Sequence, residues 1–73
     1  MKVTIKLFAH FKDSRFEKEG WDLAEGTQVL QVLNLLQIEP IETMIFINGR
    51  LGSPHQVLYN GDVLSILPPM AGG

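Results

Sequence analysis

The chain has 73 residues, 45% of them apolar and 19% charged, with a net charge of −2 and no cysteine. That length holds one small domain, and the apolar share lies far above that of a disordered chain. The six Lys and Arg are too scattered to track a phosphate backbone, and the missing cysteines exclude a disulfide framework, an iron–sulfur cluster, a thiolate zinc site and a cysteine nucleophile.

Residues 2–8 alternate, with Val3, Ile5 and Leu7 on one side and Lys2, Thr4 and Lys6 on the other, which predicts a strand with one buried face. Six charges of both signs lie next, between Ala9 and Gly20, around Phe11 and Phe16 and without a period. This stretch reads as a solvated connection into a second strand around Trp21 and Leu23. Glu25-Gly26-Thr27 punctuates the chain, and the Thr27 hydroxyl is placed to cap a helix. At about 100° per residue, Val29, Val32, Leu33 and Leu36 share one stripe with Leu30 at its edge, whereas Leu35 falls off it and is expected to be partly exposed. The helix ends near Gln37, and Pro40 prevents its continuation.

Met44 to Asn48 reads as a third strand, with Ile45 and Ile47 on one face and Met44 and Phe46 on the other. Asn48-Gly49 signals a tight turn, and a short return segment starts at Arg50. Ser53-Pro54 and Asn60-Gly61-Asp62 bracket Gln56 to Tyr59, a stretch too short for more than a turn of helix or a small strand. Val63 to Leu67 is the last strand. One helix is then available to cover one sheet, an α+β two-layer domain over residues 1–67. Its inner faces draw on Val3, Ile5, Leu7, Trp21, Leu23, Ile45, Ile47, Leu64 and Ile66. On parity, Phe8, Phe46, Val63 and Leu67 fall on the opposite face beside Thr4, Lys6 and Ser65, a costly arrangement unless something covers it.

No internal catalytic constellation emerges. His10 and His55 stand alone, and Glu17 with Glu19 and Glu39 with Glu42 imply no fixed geometry. Metal-ligand spacing, a nucleophile elbow and a phosphate-cradling glycine loop are absent from the sequence. No apolar run approaches the roughly 20 residues of a membrane span, and Met1 to Thr4 lacks a signal-peptide core. The expected setting is the cytoplasm, with neither membrane nor nucleic acid as partner and no bound cofactor or metal.

Thirteen of the fourteen charges lie in residues 1–50, and residues 51–73 carry only Asp62. Such a charge-poor end suits a surface covered by a partner. Pro68 and Pro69 cannot donate to a ladder, so they end the last strand and project the final four residues away from the domain. Residues 68–73 form an extended, flexible tail in this reading, in which Met70, Ala71, Gly72 and Gly73 carry no side chain larger than methionine. Glycines without Cβ atoms can thread a narrow channel and deliver the Gly73 α-carboxylate into another protein's site. A functionless end is the other reading of the same residues.

The run Asn60-Gly61-Asp62-Val63-Leu64-Ser65-Ile66-Leu67-Pro68-Pro69-Met70-Ala71-Gly72-Gly73 resembles the end of the MoaD/ThiS ubiquitin-like sulfur carriers. The opening strand into Leu7-Phe8-Ala9, Glu25-Gly26-Thr27 before the helix and Ile47-Asn48-Gly49 before the return segment are also similar, so the resemblance spans essentially the whole chain. It implies a β-grasp fold, a mixed sheet covered by one main helix. It further implies a carrier rather than an enzyme: Gly73 would be adenylated by an ATP-dependent E1-like enzyme and converted to a thiocarboxylate that donates sulfur. Pro68-Pro69 is closer to the molybdopterin synthase small subunit than to the thiamine carrier. That branch implies a large catalytic subunit that receives the tail, with docking at Phe8, Phe46, Leu67, Pro68 and Pro69. Because the chain has no cysteine, the sulfur would come from a partner persulfide. A thiamine-thiazole carrier, a ubiquitin-like modifier that passes Gly73 to a lysine, and a simple interaction module are the competing readings.

Overall fold

The computed structural model describes residues 1–69. Five strands, β1 (Lys2–Leu7), β2 (Lys18–Asp22), β3 (Met44–Ile47), β4 (Arg50–Leu51) and β5 (Val63–Leu67), form one mixed sheet, with a helix, α1 (Val29–Leu36), between β2 and β3. The strand order is β2-β1-β5-β3-β4. The β1–β5 pair is parallel, whereas β1–β2, β3–β5 and β3–β4 are antiparallel. This is the expected α+β arrangement, and its central strand comes last in chain order.

Period-two burial builds the inner layer. Val3, Ile5 and Leu7 of β1, Ile45 and Ile47 of β3, and Leu64 and Ile66 of β5 are buried, and the α1 stripe of Val29, Val32, Leu33 and Leu36 closes over them. Leu35, off that stripe, is 69% exposed, as its position predicts. Asn48 (φ 53°) and Gly49 (φ 81°) both occupy the left-handed region, the geometry that a two-residue hairpin between β3 and β4 needs.

Irregular segments depart from the sequence-based expectation. The solvated connection after β1 contains a 3₁₀ turn, Ala9–Lys12, that drives Phe11 into the core. The second strand runs over Lys18–Asp22, so Leu23 lies beyond it; Trp21 and Leu23 are half-buried and pack against the core from its rim. Thr27 does not cap the helix. Its Oγ1 donates to the Ala24 carbonyl (2.7 Å), and Gln28 is the N-cap, its N–H donating to Gln31 Oε1 (2.8 Å) while the Gln31 N–H donates to the Gln28 carbonyl (3.1 Å). The short segment before β5 makes only an isolated bridge, Val57 with Gln28, yet it adds to the core a residue outside the expected inner faces, the fully buried Leu58.

That segment also completes the helix. The first N–H groups of an α-helix have no partner within it. Here Val29 N–H donates to the Gln56 carbonyl (3.0 Å) and Leu30 N–H to the Pro54 carbonyl (2.8 Å). At the other end, Gln37 adopts the left-handed conformation (φ 60°) and closes the last turn onto the Leu33 and Asn34 carbonyls. Arg15 reaches across to donate from Nε and Nη2 to the Leu36 carbonyl (3.1 and 3.0 Å).

Candidate functional site

The side chains singled out from the sequence converge on the sheet face opposite α1, at the end where β5 leads into Pro68. Register explains how. Ser65 of β5 lies opposite Phe46 of β3 and beside Lys6 of β1, and Phe46 in turn lies opposite Leu51 of β4. One step further along, Leu67 lies opposite Met44. Phe8 continues the β1 ladder past its last strand residue, its N–H donating to the Ile66 carbonyl (3.1 Å). Extended backbone at Phe8 (φ −120°, ψ 156°) keeps its parity with Thr4 and Lys6.

Phe8, Leu67 and Met44 thus make an apolar row across the three strands next to the tail exit. Phe8 is 41% exposed and Leu67, Met44 and Phe46 are half-buried. Pro68 is half-buried and Pro69 exposed, and neither has an N–H with which to extend the ladder. Met44 shares the parity of Phe46 on this face, as the alternation of the strand predicts, whereas Leu51 also belongs to the face but cannot be placed there from sequence alone. Phe46 supplies the parity of β3, whereas only the β3–β4 register puts Leu51 beside it. Met70, Ala71, Gly72 and Gly73 lie outside the described residues.

Two motifs of the sequence fix where β5 begins, and therefore where the tail leaves. Asn48 Nδ2 donates to Asp62 Oδ1 (2.9 Å), and Asn48 Oδ1 accepts from Val63 N–H (2.8 Å). Asp62 Oδ2 accepts from Tyr59 N–H (2.8 Å), while Asn60 Oδ1 accepts from Lys2 N–H (2.8 Å). The Asn-Gly turn after β3 and the Asn-Gly-Asp turn before β5 are two halves of one clamp. It sets the register of β5 against β3, so the apolar row and the Pro68-Pro69 exit stay in a fixed relation.

Among the described residues there is no group of three or more His, Asp or Glu that could hold a metal ion. His10 lies against the Phe11 ring at 4.3 Å, and His55 is exposed elsewhere. No described helix is long and apolar enough to cross a membrane.

The model of the ThiS family matches residues 5–73. A Pyrococcus furiosus protein assigned as molybdopterin converting factor subunit 1 is 26% identical and superposes with a TM-score of 0.80 over 96% of this chain and 99% of that one. A subunit from the complex of subunits 1 and 2 of the Helicobacter pylori molybdopterin-converting factor is 25% identical, with a TM-score of 0.68 and full coverage of both chains. Small archaeal modifier protein 1 of H. volcanii, at 19% identity, shares the fold with a TM-score of 0.78 over 94% of this chain and 98% of that one. No curated protein sequence matches closely enough to count as a relative.

Proposed function

This chain belongs to the ThiS family of small ubiquitin-like sulfur carriers, which are not themselves enzymes, and from that premise we propose that its Gly73 carboxylate is the group that carries sulfur. A carboxylate oxygen is a poor leaving group. Transfer to the α-phosphate of ATP, with pyrophosphate released, turns the carboxyl into an acyl-adenylate from which AMP departs. An E1-like partner supplies that step. The terminal sulfur of a persulfide on a second partner displaces AMP to give an acyl disulfide, and a further thiol cleaves its S–S bond, releasing the thiocarboxylate and ending in a disulfide with the partner's sulfur. The resulting thiocarboxylate donates sulfur to a small-molecule precursor, and the chain contributes position and access rather than acid–base groups.

The observation that carries this reading is the apolar row of Phe8, Leu67 and Met44, which is centred on the strand that leads straight into Pro68-Pro69 and the glycine tail. A partner that covers this row receives the tail in a defined direction, which lowers the orientational cost of reaching a buried site. The molybdopterin branch is the preferred pathway. Pro68-Pro69 suits it, and two similar structures are named as subunit 1 of molybdopterin converting factors, one of them in complex with subunit 2. The thiamine-thiazole pathway stands behind it. Likeness to the archaeal modifier favours a second reading, in which activated Gly73 passes to a lysine amine of another protein.

The deciding experiment is the intact mass of the protein isolated from its own host, with and without Gly72 and Gly73. Replacement of one oxygen by sulfur at Gly73 is the expected result, and the shortened chain should fold but transfer no sulfur. A plain carboxylate in cells with active sulfur transfer rejects the carrier reading. Isopeptide linkage of Gly73 to lysines of other proteins establishes the modifier reading.

A further inference from the structure

The β1–β2 ladder treats its outward charges in two ways. Lys2 lies opposite Asp22, and the two form an ion pair at 3.5 Å. Four residues along the same face, Lys6 lies opposite Lys18. Like charges directly opposed across strands repel, so this pair works against the fold that contains it. Lys12, from the 3₁₀ turn, joins them around an open groove of about 550 Å³ whose floor includes Phe8 and whose one acidic neighbour is Glu17. Among the described residues none of the three lysines has an ion-pair partner. Half of the chain's six Lys and Arg, but one of its eight Asp and Glu, line this groove, a local inversion of a chain whose net charge is −2.

We infer that this groove seats an acidic segment of the E1-like partner that activates the tail, its carboxylates between Lys6, Lys12 and Lys18 and an apolar side chain against Phe8. The groove shares Phe8 with the apolar row, so a partner that covers the row meets the lysines as a continuation of the same contact. Three lysines around one short groove suit a peptide segment and are too few for a phosphate backbone, which needs a longer basic track. Charge complementarity of this kind acts chiefly on encounter rate and its salt dependence. The inference rests on the carrier reading only for the identity of the partner.

Two measurements test it on the full chain. In adenylation by the E1-like enzyme, the double variant Lys12→Glu/Lys18→Glu should raise KM about tenfold, flatten its salt dependence and leave kcat unchanged. Equal KM and equal salt dependence overturn the inference. Amide-shift mapping with a glutamate-rich peptide containing leucine should move residues 6–9, 12, 17 and 18, and the shifts should vanish in the double variant. Absent or scattered shifts, or tighter binding of oligothymidylate at the same groove, also overturn it. If wild type is never adenylated, the carrier reading falls and the peptide mapping alone decides the groove. Lys18→Glu faces Lys6 with an opposite charge, so folding is not endangered.

Discussion

Leu58→Ala is the perturbation that most directly probes how the segment before β5 is built into the domain. Leu58 is fully buried, and its N–H donates to the Thr27 carbonyl (2.9 Å), beside the Val57–Gln28 bridge. With the backbone tied on both sides the site cannot collapse freely, which places the loss in the upper part of the usual range for burying and then deleting a leucine, about 3–4 kcal/mol. A domain of 73 residues has a total stability of roughly 4–11 kcal/mol, so this single truncation removes at least about a quarter of it. Urea unfolding followed by the fluorescence of the sole tryptophan, half-buried Trp21, measures the change as a fall in midpoint at constant slope. Tyr59→Ala is the control: the next side chain is 65% exposed and should cost no more than about 0.5 kcal/mol. Hydrogen exchange gives a second readout, because the Val29 and Leu30 amides donate to carbonyls of the same segment and should lose protection first. A loss below about 1 kcal/mol, with those two amides still protected, would refute the account of this segment as a structural part of the core.

Phe46→Asp places a charge in the middle of the outward face, between Ser65 and Leu51, where the fold does not need the ring. Circular dichroism and unfolding slope should stay as in wild type, while affinity for the tail-receiving partner falls tenfold or more, about 1.4 kcal/mol; unchanged affinity rejects the assignment of the face. Gln37→Gly relieves a left-handed residue at the helix end and should stabilise the domain by up to about 1 kcal/mol, read as a raised thermal midpoint, whereas a lowered midpoint would show that the Gln37 side chain contributes more than its backbone costs.

The regular elements were legible because one-sided burial writes a period into the sequence. β1, β3, β5 and α1 follow from it, and so does the exposure of Leu35. Residues buried from irregular backbone leave no such trace. Phe11 enters the core from a 3₁₀ turn, Ile38 from just past the helix, and Leu58 from a bracketed stretch, and none repeats at two or 3.6 residues. The misplaced cap has a different cause: Thr27 has the favoured residue type, but its hydroxyl turns back to the Ala24 carbonyl, and the Gln31 side chain reaches back one turn to the Gln28 N–H instead. Of the docking side chains, Phe8, Phe46 and Leu67 follow from parity, whereas the neighbours they acquire depend on strand order. That order depends on the β1–β5 ladder, which joins residues more than fifty apart in sequence, such as Thr4 with Val63, and which no local pattern encodes.

The central place of β5 makes completion of the domain a single late event in the life of the chain. Until residues 63–67 are available, β1–β2 and β3–β4 are two separate ribbons with no ladder between them, and isolated two-stranded ribbons are marginal in water. The row needs β5 as well, because Phe8 and Met44 come from strands that only Leu67 brings side by side. A chain interrupted during synthesis, or clipped within its last strand, therefore displays no finished recognition surface. The partner's inspection of that surface doubles as an inspection of whether the strand bearing the tail has arrived.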